Sequence, residues 1–181
     1  MTTEKTISEF LSDEYKEFAM YVIEGRAIPS VIDGFKPTQR KIIHIANQIW
    51  KSGGEKTLKV FQLSGKVASD CFYHHGDASL SNAIITMAQK FKNNAPLLEE
   101  EGQFGSLRSP QAGAPRYIGT KLSENFRLIY KDFELLNFKE EEGEIIEPHY
   151  FLPIIPTVLI NGSSGIAVGF ASNILNRNIK D

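Results

Sequence analysis

A chain of 181 residues, 41% of them hydrophobic, can bury one core, or one core and the beginning of a second. No apolar run approaches the ~18 residues needed to cross a bilayer, MTTEKTISEF lacks a signal-peptide pattern, and the single Cys71 excludes both an intramolecular disulfide framework and a cysteine zinc site. The net charge of −2 hides an asymmetry, because Arg26, Lys36, Arg40, Lys41, Lys51, Lys56, Lys59 and Lys66 are opposed in their segment only by Asp33 and Glu55. Such a run is the local basic surface that a polyanion requires, whatever the overall charge.

In chain order, Thr6 and Glu9 stand at capping-box spacing, and Ile7, Phe10, Leu11, Tyr15, Phe18 and Val22 recur on one face, which predicts a helix from about Ile7 to Glu24, ended by Gly25. Asp33-Gly34 is a turn signal, and Pro37 suits the first position of a second helix carrying Ile42, Ile43, Ile45, Ala46, Ile49 and Trp50. Ser52, Gly53 and Gly54 break the chain before a third helix, on which Val60, Leu63, Val67 and Cys71 share a face. Cys71 therefore reads as a buried core thiol. Helix, glycine turn, helix with lysines outside is a helix-turn-helix pattern. From pattern alone the segment reads first as an ordinary three-helix bundle whose lysines confer solubility.

His74 and His75 precede Asp77, a candidate N-cap for a helix carrying Leu80, Ala83, Ile84, Met87, Ala88 and Phe91. Adjacent histidines point apart, and no carboxylate or thiol set surrounds them at zinc spacing, so a metal site is not expected. Phe104, Gly105, Gly113 and Pro115 frame a loop that presents Arg116 and Tyr117 near an element boundary. A phenol, with pKa ~10, attacks a phosphodiester only beside a cation or metal, and the Arg116 guanidinium fork suits the phosphoryl oxygens. The acidic stretch from Asp132 to Glu147 reads as a solvated loop that holds a polyanion off one face. Val158-Leu159-Ile160, the turn Asn161-Gly162 and Ile166-Ala167-Val168 read as a buried hairpin.

Four blocks, GRAIPSVIDGFKPTQRK, YHHGDASLSNAIITMAQ, EGQFGSLRSPQAGAPRYI and FLPIIPTVLINGSSGIAVGFAS, resemble in order and approximate spacing the DNA breakage and reunion core of type II topoisomerases. The wording is similar to the eukaryotic enzymes and most similar to the medium subunit of T-even-type bacteriophage topoisomerases, with the bacterial gyrase A protein further off. The resemblance implies an α+β fold, with a winged-helix DNA-cleavage domain over 1–130 and the first strands of a tower or shoulder domain over 131–181. It implies Tyr117 as the nucleophile of a transient 5′-phosphotyrosyl link, with Arg116 and His75 at the phosphate. Arg26, Lys36, Arg40 and Lys41 become candidate phosphate contacts, and His74 a DNA-surface residue in a more structural role. Ile166 matches the apolar residue wedged between base pairs to bend the cut segment. Gly113 stands where family members often carry alanine, which implies a more mobile loop.

The sequence has no Gly-rich ATP-binding block and no acidic cluster for magnesium. By resemblance, Mg²⁺ ligands and ATP binding belong to a partner subunit. The expected partners are double-stranded DNA, the subunit that binds metal and hydrolyses ATP, the C-terminal continuation of the chain and a second copy in a homodimer, with no membrane. The expected location is the cytoplasm, that of the host cell for a phage protein. The chain reads as a truncated or split subunit, incomplete as an ATP-dependent enzyme on its own. The readings that compete with this enzyme are a nonenzymatic helix-turn-helix binder in which Tyr117 only packs, and an inactive remnant that binds topoisomerase subunits.

Overall fold

A computed structural model describes residues 5–54 and 56–180. Glu55, part of the charge balance above, lies outside them. The capping box forms as the spacing predicts: the Thr6 hydroxyl accepts from the Glu9 amide at 3.3 Å, and Glu9 Oε2 accepts from the Thr6 amide at 2.8 Å. Helix α1 (Ile7–Phe10) continues into α2 (Lys16–Val22) through a wider turn, and a second wide turn, Ile23–Ala27, carries the helical path beyond Gly25. The end is set by Ile28, whose amide closes that turn on the Ile23 carbonyl at 3.1 Å and whose own backbone is extended, as a residue before proline prefers. No residue of α1 or α2 is buried, so the predicted apolar face stays outside the core.

Three helices make that core. α3 (Pro37–Trp50), with proline at its first position, buries Ile42, Ile43, Ile45, Ala46 and Trp50; α4 (Val60–Asp70) buries Val60, Leu63 and Val67; α5 (Asp77–Ala88) buries Leu80, Ile84, Ile85, Met87 and Ala88. Gly76 caps α5 in place of Asp77, and Phe91 lies beyond its end. Cys71 closes α4 fully buried, and burial pushes its thiol up to about 12. Against the helices lies an antiparallel sheet of β1 (Leu58–Lys59), β2 (Leu98–Glu101) and β3 (Gly119–Leu122) in the order β1-β3-β2. Helices combine with short strands whose pairings are all antiparallel, the α+β class expected.

Two expectations are corrected further along the chain. The acidic stretch is a hairpin rather than a loop, β4 (Phe138–Glu141) pairing with β5 (Glu144–Pro148) across a turn where Glu142 and Gly143 take φ of 52° and 84°. Its Glu147 turns inward and accepts from Lys41 Nζ at 2.9 Å and Lys139 Nζ at 3.2 Å. The Val158-Leu159-Ile160 run is helical, α7 (Thr157–Asn161), and the hairpin forms later, from β6 (Ser163–Ile166) and β7 (Ala171–Ile174). Pro156 sets the start of α7, and the Asn161 side chain exchanges hydrogen bonds with the Ala95 amide and carbonyl at 2.8 and 2.9 Å, an anchor that a strand ladder would otherwise supply. Val158 and Ile160 are nevertheless buried, as expected.

One carboxylate joins these parts. Fully buried Asp33 accepts from Arg40 Nε at 2.7 Å, Arg40 Nη2 at 3.0 Å, the Phe35 amide at 3.0 Å and the Phe151 amide at 3.1 Å. Its carbonyl accepts from the Tyr130 hydroxyl at 3.0 Å and the Thr157 hydroxyl at 2.9 Å. α6 (Glu124–Ile129) ends at Tyr130, whose ring stacks on Phe35 at 5.4 Å and Phe126 at 4.9 Å. Gly34 has φ of +73°, and a Cβ there would lie 2.6 Å from Thr157 Oγ1, so only glycine fits beside this node.

Asp33→Ala is expected to lower unfolding free energy by about 3–5 kcal/mol, the cost of leaving a buried partner unpaired, and Asp33→Ala/Arg40→Met to recover part of it in denaturant titrations. Glu147 supplies a pH signature. Burial would raise its carboxyl, but the Lys41 hydrogen bond and the charges of Lys41 and Lys139 outweigh burial and hold it below its ordinary 4.5. Its stabilisation is therefore present above that value and is lost as pH falls through the lower folded value. Glu147→Gln should remove this step from the acid-unfolding curve.

Candidate nucleic-acid interface

Arg26, Lys36 and His75 come from three segments and line one cavity of about 740 Å³. The helical path through Ala27 presents Arg26 outward, and its Nη2 stands 3.0 Å from His75 Nδ1. Arginine only donates, so Nδ1 accepts and the proton of the neutral ring sits on Nε2, free to donate to a ligand. Partial burial, the Arg26 charge and His74 together hold His75 below the usual histidine range. Its ring is also fixed edge-on against Tyr73 at 5.3 Å. Lys36 lies at the start of α3, donating to the Ser164 carbonyl, and burial pulls its ammonium below the usual range. Ser79 and Asn82 of α5, with Asn93, Asn161 and Asn173, add neutral polar residues to the cavity wall. Periodicity did not single them out, because short polar residues between core positions read as ordinary helix surface.

The β6–β7 hairpin is seated against the same region. Ser172 Oγ donates to the Ala27 carbonyl at 3.3 Å, and a Cβ on Gly165 would collide with that carbonyl, so the hairpin packs backbone to backbone on the Arg26–Ala27 turn. Ile166, at the end of β6, is 87% exposed. Phe170, across the short turn closed by the Ala167 amide on the Phe170 carbonyl, is exposed as well.

Tyr117 lies on the loop between β2 and β3. Gln89, buried at the end of α5, donates to the Phe104 and Pro110 carbonyls at 2.7 and 3.2 Å and pins the base of this loop. Gly105 turns it with φ of +87°, where a Cβ would strike Pro110. Gly113 donates to the Gln103 carbonyl at 2.8 Å. The final turn, Tyr117 amide to Ala114 carbonyl at 2.9 Å, leaves the Tyr117 side chain 73% exposed and Arg116 beside it exposed too. Neither residue lines the cavity of Arg26, Lys36 and His75.

The other candidates do not join this surface. Arg40 is 5% exposed with its donors on Asp33 and the Phe35 carbonyl, and Lys41 is committed to Glu147 and the Cys71 carbonyl. Both face the core because their positions on α3 fall on its buried side, and this corrects their assignment as phosphate contacts. His74 faces outward with Nε2 3.6 Å from Glu141. Among the described residues no three His, Cys, Asp or Glu side chains converge as metal ligands. None of the described helices is long and apolar enough to cross a membrane.

The sequence model of the family of A subunits of DNA gyrase and topoisomerase IV matches residues 26–181. The chain is 43% identical over 175 residues to the DNA topoisomerase medium subunit of Enterobacteria phage T4, an alignment covering 97% of this chain and 39% of that protein. It is 45% identical to DNA topoisomerase 2 of Leishmania chagasi over 93% of this chain and 14% of the relative. A crystal structure of the Plasmodium falciparum topoisomerase II DNA-binding, cleavage and re-ligation domain superposes with a TM-score of 0.83 at 42% identity, over 95% of this chain and 24% of that one. The chain thus spans well under half the length of each of these proteins.

The Arg26–His75 contact is testable by NMR. His75 should titrate below its ordinary 6.5, and Arg26→Met should raise its pKa by removing one of the causes of the shift. An unchanged His75 titration in that variant would contradict the contact.

Proposed function

We propose, from the premise that this chain belongs to the DNA gyrase and topoisomerase IV A-subunit family, that it is the DNA-cleaving part of a type II topoisomerase. The observation that carries the reading is the exposed Tyr117 phenol beside Arg116 on a loop whose backbone is bonded at Ala114, Pro115, Tyr117 and Ile118. The phenol oxygen attacks a DNA phosphorus, the bond from phosphorus to the 3′ oxygen breaks, and a 5′-phosphotyrosyl link and a free 3′ hydroxyl result. The phenolic proton leaves and the departing oxygen gains one, so the step is reversible and balanced. Arg116 neutralises charge on the phosphoryl oxygens, and the neutral His75 ring donates a hydrogen bond from Nε2 to a phosphate held over the cavity.

Arg26 and Lys36 serve as phosphate contacts, which position DNA without reading its sequence. Ile166, held out by a hairpin seated on the Arg26 turn, wedges a base step. That Tyr117 lies outside the cavity of Arg26, Lys36 and His75 supports a site completed by a second copy in a homodimer. The helices α3 to α5 with the sheet β1-β3-β2 support a winged-helix unit over 1–130. After Tyr130 the strands form separate two-stranded hairpins, which supports the start of a second unit over 131–181. Mg²⁺, which supplies charge stabilisation at the phosphate, and ATP, which drives strand passage, belong in this reading to a partner subunit. The assembly acts, in this reading, in a host-cell cytoplasm.

The test is covalent trapping in the assembled enzyme with DNA and Mg²⁺. Tyr117→Phe should keep DNA affinity within a few-fold and lose all protein-linked 5′ ends, and Arg116→Lys should lose much of the cleavage because a point charge cannot reproduce a bidentate fork. Residual protein-linked DNA with Tyr117→Phe contradicts the reading. Ile166→Ala should leave most affinity and reduce DNA bending measured by energy transfer between labelled ends; an unchanged bend rules out the wedge.

A further inference from the structure

The Tyr117 loop is held by donors from one short stretch at the junction of β1 and α4. The amides of Val60 and Phe61, the first two residues of α4, donate to the Ile118 and Pro115 carbonyls, each at 3.1 Å. Lys59, the last residue of β1, reaches around with its side chain, and its Nζ donates to the carbonyl of Tyr117 itself at 3.0 Å. The two amides would be present whatever residues stood there. The ammonium is a feature of the lysine alone.

The Lys59 backbone is fixed independently of that side chain. It pairs with Gly119 in the β1–β3 ladder, and its amide donates to Gln62 Oε1 at 3.0 Å, which locks the start of α4. The base from which Nζ reaches is therefore rigid, while the Tyr117 side chain, 73% exposed, takes its direction from its own backbone. A charge-assisted hydrogen bond is about twice as strong as a neutral one, and a bond to the carbonyl of Tyr117 fixes the peptide plane that adjoins its Cα–Cβ bond.

Resting on the reading of Tyr117 as nucleophile, we propose that Lys59 is a positioning residue for it: it clamps the carbonyl of Tyr117 and so aims the phenol, without touching DNA or the reacting atoms. The basic run from Arg26 to Lys66 then has three distinct uses. Arg26 and Lys36 face a ligand, Arg40 and Lys41 neutralise buried carboxylates, and Lys59 orders a loop. A displacement of about 1 Å at a reacting group can cost on the order of 100-fold in rate, so the clamp bears on rate rather than on affinity.

The experiment measures the single-turnover cleavage rate at saturating DNA, together with the DNA dissociation constant and its salt dependence, in the assembled enzyme with Mg²⁺. Lys59→Met and Lys59→Gln should each slow cleavage at least about tenfold with affinity and salt slope unchanged, and Lys59→Arg, which can still donate to the carbonyl, should restore most of the rate. If one truncating variant fails to fold, the other decides. An unchanged rate in a folded variant overturns the proposal. So does weaker binding with a salt slope reduced by about one and a normal rate at saturation, the signature of a phosphate contact. The carbonyl ¹³C shift of Tyr117 should also move in Lys59→Met, which removes the donor, and a shift that ignores that substitution counts against the clamp. Tyr117→Phe run in parallel separates the two claims: protein-linked DNA in that variant removes the nucleophile assignment itself, whereas its absence beside a normal Lys59→Met rate removes only the clamp.

Discussion

A single buried carboxylate sets the geometry on which the remaining arrangement depends. Asp33 is fully buried, and a charge taken out of water is tolerated only when it is paired and hydrogen-bonded. Arg40 supplies the charge, and the amides of Phe35 and Phe151 supply further donors. Its carbonyl meets Tyr130 and Thr157. Because those partners come from α3, from the end of α6, from the segment before α7 and from α7 itself, satisfying one residue fixes four stretches of chain. Lys36 at the head of α3 and the chain that leads through α7 into the Ile166 hairpin are both tied to this node.

The frame is apolar and tightly paired, whereas the groups assigned to chemistry sit at its rim with spare bonding capacity. Arg26 and His75 satisfy one another through a single bond, which leaves the Nε2 proton and most of the guanidinium fork outward. Tyr117 is exposed while the backbone beneath it is bonded at Ala114, Pro115, Tyr117 and Ile118. This division lets an anionic ligand engage the rim without disturbing the core.

The three core helices were legible because their apolar residues recur at helical period and their starts and breaks carry Pro37 and Gly53-Gly54, signals that are local in sequence. The same logic failed where tertiary contacts decide. Arg40 and Lys41 look like surface charges from composition, and only their partners, 7 and 106 residues away, hold their charged ends inward. Val158-Leu159-Ile160 has strand-forming residues, yet Pro156 and the Asn161–Ala95 pairing bend it into a helical turn. Glu147 was hidden in an acidic run because nothing in its spacing marks one carboxylate as inward. For the site, Arg116-Tyr117 and His75 stood out through family resemblance, while the reach of Lys59 to the Tyr117 carbonyl is a through-space contact across 58 residues that no periodicity records.

The central claim is that the Tyr117 oxygen becomes bonded to DNA phosphorus. The measurement that tests it most directly is tandem mass spectrometry of the denatured, nuclease-digested complex formed by the assembled enzyme with DNA and Mg²⁺. The account predicts a peptide containing Arg116 and Tyr117 that carries a nucleotide remnant on the Tyr117 phenol through its 5′ phosphate. A remnant on any other residue, a 3′ linkage, or DNA cleavage that leaves this peptide unmodified would contradict it.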